Sequence, residues 1–308
     1  MLSRTAENLF WMARYLERAE STARLIEMGR RMAMLPGGGL REWQSVIRTT
    51  GADAWFAARG AASEAAIIHG LLLDAGNPAS VHACLTRARA NGRAIRTALT
   101  QEMWEALNDG WRRLENLDEQ SARRDLPTLL DWVKARAATF RGSAETGMLR
   151  HDGYDFLRLG GLIERADMTL RLLNVKYFVL LPETEVVGGG RDHHQWASVL
   201  YALSATRAYH HVYKGDYAPW KIADFLLLNP IFPRSVAFCY GQICACLDRL
   251  ERRYGQRHDC HDTAHDALRR LESQDIAAVI RDGLHETVNQ YIARTARLSD
   301  QIAAAYHF

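Results

Sequence analysis

The sequence predicts an all-α fold of about twelve helices arranged as two pseudo-symmetric six-helix halves. Three observations carry that prediction. The 308 residues include 44 Ala but only 7 Pro, a balance that favours helix. Apolar residues recur at spacings of three and four almost throughout, and no alternating strand pattern appears. Three segments of the first half return in the same order in the second.

The first helix is expected over 6–34, where Leu9, Met12, Leu16, Ala19, Ala23 and Ile26 form one stripe. Ser3 reads as its N-cap, with Glu7 favouring the dipole in the first turn. Pro36-Gly37-Gly38-Gly39 ends it. Further helices are expected over 41–60, 62–73, 78–99, 101–118 and 124–147. Asn77-Pro78 reads as a cap followed by the first helical position. A second set is expected over 153–181, 191–213, 218–228, 233–254, 261–273 and 275–306, with Gly188-Gly189-Gly190 punctuating this half. All seven prolines fall at or outside these limits, as a residue lacking its N–H must.

The repeat is explicit. Glu17-Arg18-Ala19-Glu20-Ser21-Thr22-Ala23-Arg24-Leu25 returns 147 positions later as Glu164-Arg165-Ala166-Asp167-Met168-Thr169-Leu170-Arg171-Leu172. Trp43-Gln44-Ser45-Val46 returns after 153 positions as Trp196-Ala197-Ser198-Val199. Leu71-Leu72-Leu73-Asp74 with Pro78-Ala79-Ser80-Val81 returns after 155 as Leu226-Leu227-Leu228-Asn229 with Pro233-Arg234-Ser235-Val236. Residues 1–150 and 151–308 are therefore read as two half-repeats. No flexible polar linker divides them, so one fused body is expected. The repeat is imperfect at Trp11 and Arg14, which correspond to Arg158 and Gly161.

Charge and cysteine content narrow the function classes. The net charge is +3, and like charges never run longer than a pair such as Arg30-Arg31, so no basic face for nucleic acid is predicted. Five cysteines without framework spacing point to a reducing compartment, and Cys244-x-Cys246 in an apolar helical stretch reads as buried thiols. The charged opening MLSRTAENLFWMARYLERAE is not a signal peptide, and no apolar run reaches about 18 residues. A cytoplasmic protein with no membrane span is expected.

The repeated charges are the candidate site. Glu17, Glu20 and Arg24 share a helix face, with Arg18 on the other side of the apolar stripe, and Glu164, Asp167, Arg171 and Arg165 repeat that placement. An i, i+4 acid–Arg pair contributes only about 0.2–0.5 kcal/mol, too little to explain the recurrence. Two readings remain open. In one, the two helices meet and Glu17–Arg165 and Glu164–Arg18 pair reciprocally, using the bidentate fork of arginine. In the other, the charges line a cleft for an amino- or carboxyl-bearing ligand.

Other chemistry has less support. His258, His261 and His265 lie in RHDCHDTAHD, and His261 with His265 at i, i+4 could hold a transition metal; a polar turn leading into a helix is the competing reading. Neither glycine triplet has the lysine of a phosphate-binding loop. No nucleophile elbow occurs. Trp11, Trp43, Trp104 and Trp196 are expected in the core. The aromatic connection from Tyr213 to Trp220 reads as a packed connector or as a docking loop.

Met1-Leu2-Ser3-Arg4 with Ala6-Glu7-Asn8, Trp11 and Arg14-Tyr15-Leu16-Glu17-Arg18-Ala19-Glu20 resembles the opening of the alpha-E family, also called DUF403. Leu159-Gly160-Gly161-Leu162-Ile163-Glu164-Arg165-Ala166 resembles its second Glu-Arg motif, and the resemblance covers essentially the whole chain. The resemblance implies an all-helical protein whose gene commonly sits beside, or fused to, a circularly permuted ATP-grasp ligase, often with a transglutaminase-like peptidase. It implies a helical partner of a peptide or amide ligase that presents a peptide or amino-acid-like substrate. It supplies no agreed catalytic residues, so the Glu-Arg positions carry over only as candidates, and no cofactor is expected. The alternatives are a self-standing enzyme using Glu17/Glu20 and Glu164/Asp167 as acid–base groups, and a metal-binding helical protein.

Overall fold

The computed structural model describes residues 1–34, 39–60, 63–178 and 190–308, and among these it shows sixteen α-helices, one 3₁₀ helix at Arg96–Ala98 and no strand. In chain order the helices are α1 (Ser3–Ala33), α2 (Leu40–Thr50), α3 (Asp53–Ala57), α4 (Glu64–Leu72), α5 (Val81–Ala94) and α6 (Gln101–Glu115). They continue with α7 (Glu119–Arg124), α8 (Leu126–Gly147), α9 (Asp152–Phe178), α10 (Gly190–Ala202) and α11 (Thr206–Tyr213). The last are α12 (Pro219–Leu227), α13 (Val236–Tyr254), α14 (Asp259–Ser273), α15 (Ile276–Asp282) and α16 (Leu284–Tyr306). Gly37, Gly38, Gly188 and Gly189 lie outside the described residues, as do Pro36 and Pro182.

The all-α expectation is met, but twelve helices become sixteen. Three expected helices are cut by a residue with left-handed backbone: Gly51 (φ 70°) between α2 and α3, Ser204 (φ 53°) between α10 and α11, and Gly283 (φ 102°) between α15 and α16. Such a residue interrupts the i→i−4 ladder without disturbing apolar spacing, so periodicity reads straight through it. The fourth addition is α7, a single short helix capped by Asp118, whose carboxylate accepts from the Ser121 N–H at 2.8 Å.

Two expected caps are corrected. Ser3 lies inside α1, because the Thr5 and Ala6 N–H groups already bond to the Leu2 carbonyl, and the first turn holds no acid. Asn77-Pro78 closes a turn ahead of α5 rather than starting the helix. The Asn77 amide donates to the Gly70 carbonyl at 2.8 Å and accepts from the Ala79 N–H at 3.0 Å. The cap of α5 is Ser80, which accepts from the Ala83 N–H at 3.0 Å. Pro127 and Pro219 occupy the first turns of α8 and α12, where a missing N–H costs nothing.

The chain forms two compact units. The first comprises Met1–Glu27, Thr50–Glu164 and Tyr306–Phe308; the second comprises Met28–Thr49 and Arg165–Ala305. Each has its own apolar core. In the first, Leu9, Phe10, Met12, Leu71, Cys84, Met103, Phe140 and Phe156 are buried. In the second, Met32, Trp43, Leu170, Trp196, Phe225, Tyr240 and Leu298 are buried. Full burial of one such aliphatic or Phe side chain contributes about 1.5–3 kcal/mol. No helix among the described residues is long and apolar enough to cross a membrane.

Within the first unit α9 runs beside α1 in the same direction. The Met1 amino group meets Asp152 at 3.1 Å, Phe10 meets Gly160, and Arg14 and Arg18 meet Glu164, so contacts advance along both helices together. The approach is closest at Gly160, where a Cβ would stand 2.1 Å from the Phe10 carbonyl oxygen. Only glycine admits that backbone contact. Helix α8 runs the other way along α1, with Arg141 at Glu17 and Glu20, and Lys134 at Glu27.

Candidate functional site

The close crossing of α1 and α9 carries Glu164 into the interior of the first unit, where the residue is 2% exposed. Its carboxylate is held by two guanidiniums. Arg18 makes a bidentate contact, Nε to Oε1 at 2.5 Å and Nη2 to Oε2 at 2.9 Å, while Arg14 Nε reaches Oε2 at 3.0 Å. Burial alone would raise the Glu164 pKa, but the charges and hydrogen bonds of Arg18 and Arg14 outweigh it and hold the group below its ordinary value. Glu164–Arg18 is one of the two pairs expected from the repeat. Arg14 is a third member that the repeat did not reveal, because its counterpart is Gly161.

Arginines 14 and 18 also rest on aromatic rings of their own helix. Arg14 lies 4.9 Å from the Trp11 ring centre and Arg18 lies 6.0 Å from that of Tyr15, while Trp11 and Tyr15 stack at 5.8 Å. The rings steer the guanidinium planes, so the fork arrives at Glu164 with little freedom left to lose.

A second cluster lies on the same helix. Glu17 and Glu20 are both buried, at 2% and 0% exposure. Arg141 of α8 reaches Glu17 Oε2 at 3.3 Å and also bonds to Glu20. Arg24 donates to Glu20 Oε1 from Nε at 2.9 Å and Nη2 at 2.7 Å. The shared face of Glu17, Glu20 and Arg24 is therefore real, and it looks onto α8. Arg141 was not legible beforehand. It sits among Arg136, Lys134 and other helical cations with nothing in local spacing to single it out.

In the second unit Asp167 pairs with Arg171 at 2.7 Å and is partly exposed. Arg165 donates to the Pro233 carbonyl at 3.4 Å, and Thr169 donates to the Arg234 carbonyl at 2.8 Å. The structure thus ties each motif helix to the turn that precedes α5 or α13.

The histidines of RHDCHDTAHD do not converge. His261 is fully buried; its Nδ1 accepts from the His258 N–H at 3.1 Å and its Nε2 faces the Leu247 carbonyl at 3.2 Å. That ring joins α13 to the start of α14. His265 turns instead to Asp248 at 2.7 Å. Among the described residues no group of three or more His, Cys, Asp or Glu is placed to hold a metal ion.

Cys84, Cys239, Cys244, Cys246 and Cys260 are all free and buried. Burial pushes the Cys84, Cys244 and Cys260 thiols up to about 12, which suits packing and not nucleophilic attack. Trp43 and Trp196 are core residues, whereas Trp11 and Trp104 are half-buried and carry arginines on their faces. The connection after α11 is tied to its neighbours by polar contacts: Tyr209 donates to the Asp216 carbonyl, Tyr213 to Asp224, and Lys221 pairs with Asp216.

The family model for alpha-E, described as a predicted alpha-helical domain with a conserved ER motif, matches residues 1–307. Neither a curated protein nor a solved structure matches the chain. The two Glu-Arg pairs at Glu17-Arg18 and Glu164-Arg165, on helices α1 and α9, sit within a match that spans the whole sequence, and the chain belongs to the alpha-E family.

Proposed function

We propose that this chain is an accessory or co-catalytic helical partner of a circularly permuted ATP-grasp ligase, binding or presenting a peptide or small amino-acid-like substrate for a peptide or amide bond-forming system. The system operates in the cytoplasm, and a transglutaminase-like protein is a further partner. The observation that supports this reading is the state of Glu164. Both of its oxygens are occupied by Arg18 and Arg14, the residue is buried, and its pKa is held low. A general acid or base needs a proton affinity near the working pH and a free oxygen within reach of substrate. Glu164 has neither. Glu20 is likewise held by Arg24 and Arg141. The motif charges thus order α1, α8 and α9, and the bond-forming chemistry falls to the ATP-grasp protein.

Co-purification of the tagged chain with the adjacent ATP-grasp protein tests the reading, with ATP turnover of the ligase measured with and without the chain. A stable complex or a changed turnover is expected. Absence of both overturns the proposal.

A further inference from the structure

At the C-terminal end of α6 the first unit opens into a depression of about 510 Å³ lined by Asp109, Arg112, Arg113, Asn116, Leu117 and Trp132. Its cations are unusual in what they leave unused. Arg113 has a carboxylate one turn back at Asp109, but Asp109 engages Arg136 of α8 at 3.5 Å, and the Arg113 guanidinium lies instead 4.8 Å from the Trp132 ring centre. Arg112 has Glu115 three residues on, but Glu115 is turned to His82 at 3.0 Å. Neither Arg112 nor Arg113 makes an ion pair among the described residues. The helix macrodipole accounts for cations in a last turn. It does not account for two guanidiniums that forgo neighbouring carboxylates, one of them over an indole beside an open hollow.

The geometry points to this depression as a binding site for a peptide segment with clustered carboxylates. A guanidinium fixed on an aromatic face keeps its edge N–H groups free for a carboxylate and has already lost its rotamer freedom. Arg112 adds a second guanidinium on the adjacent residue, so the pair suits two carboxylates of one ligand. The openness of the hollow suits side chains of an extended peptide rather than an enclosed small molecule. Asn116 also lines the hollow, and its amide donates to the Arg112 carbonyl at 2.8 Å, so its side-chain oxygen is not consumed by that bond. The site deepens the proposed role by naming the chemistry of the presented peptide, and it rests on that role only for its place in a ligase system.

The test is titration of the purified full chain with fluorescein-labelled tetraglutamate at low salt, followed by anisotropy, with tetraglutamine as the uncharged probe. Saturable binding of tetraglutamate alone is expected, weakened about tenfold or more in the double variant Arg112→Ala/Arg113→Ala and unchanged in Arg93→Ala, an exposed arginine of α5. On the unaltered chain the Trp132 indole N–H resonance, assigned with Trp132→Phe, is expected to move during the titration. Equal binding by the double variant, equal binding of tetraglutamine, or a motionless Trp132 resonance overturns the site. Displacement of the peptide by an equimolar single-stranded oligonucleotide overturns the assignment to peptide. Because the titration needs no ligase, a ligase complex without peptide binding sinks the site and leaves the role, while peptide binding with neither a ligase complex nor a changed ATP turnover supports the site and sinks the role.

Discussion

The stretch from α1 to α5 and the stretch from α9 to α13 solve the same problem with the same polar atoms. Thr22 donates to the Ala79 carbonyl at 3.1 Å, and Thr169 donates to the Arg234 carbonyl at 2.8 Å. Ser80 bonds to the Asp74 carbonyl and caps α5; Ser235 bonds to the Asn229 carbonyl and caps α13. Cys84 points to the Pro78 carbonyl at 3.5 Å and Cys239 to the Pro233 carbonyl at 3.9 Å. The charges differ. Glu20 is wholly buried between Arg24 and Arg141, whereas Asp167, one methylene shorter, pairs with Arg171 and keeps 16% of its side chain exposed. The lesson is that backbone capture by Thr and Ser is the common framework of the two stretches, and the acid–Arg pairs are fitted to it with different burial.

The largest contrast should come from deleting carboxylates. Glu164→Ala leaves Arg14 and Arg18 without their shared partner in the interior and is expected to cost about 3–5 kcal/mol in urea unfolding. Its pH dependence has a definite sign. The folded pKa lies below the ordinary value of 4.5, so the Glu164 contribution is fully present above that value and is lost as pH falls through the folded pKa. The stability difference between parent and Glu164→Gln should therefore narrow on acidification below about 4.5 and stay constant above it. A difference that widens in acid would contradict the buried ion pair.

Next in size is the crossing of α1 and α9. Gly160→Ala puts a Cβ 2.1 Å from the Phe10 carbonyl oxygen, and since that neighbour is backbone, the helices must part. A loss of about 1–3 kcal/mol or more is expected. Gly161→Ala meets nothing within 4 Å and should gain about 0.5–1 kcal/mol from helix propensity. Thermal melts of these adjacent variants moving in opposite directions would confirm the crossing; parallel shifts would refute it.

The legible part of the molecule was the part written in spacing. The apolar three–four pattern located twelve helical regions, and the matched strings contain Thr22 and Thr169, Ser80 and Ser235 as well as the acids. The breaks at Ser204 and Gly283 were hidden because one left-handed residue leaves the apolar stripe continuous on both sides. Arg18–Glu164 was readable because both residues lie in the repeat. Arg14 and Arg141 were not, since their roles depend on which helices become neighbours: Arg14 on the Gly160 crossing, Arg141 on α8 lying along α1. Long-range pairing of single charges leaves no local trace.

The shared framework is sharpened by Thr22→Val and Thr169→Val. Each removes a hydroxyl that satisfies a turn carbonyl and keeps the side-chain volume, so each should cost about 1–3 kcal/mol. Similar losses in the two variants are expected in denaturant unfolding. A loss confined to one would mean that the two turns are held by different forces despite equal geometry.

The smallest effect is expected at Asp167→Asn. Its i, i+4 pair with Arg171 leaves the guanidinium 36% and the carboxylate 16% exposed, so water and salt share the stabilisation more than at Glu164, and i, i+4 pairs contribute about 0.2–0.5 kcal/mol. Near-neutral stability of Asp167→Asn, set against the loss from Glu164→Ala, would establish that burial and not the motif's sequence decides which charge matters. A large loss at Asp167 would reverse that conclusion. Added salt separates the cases: raising ionic strength should erase a surface pair's small contribution while leaving a buried one almost untouched.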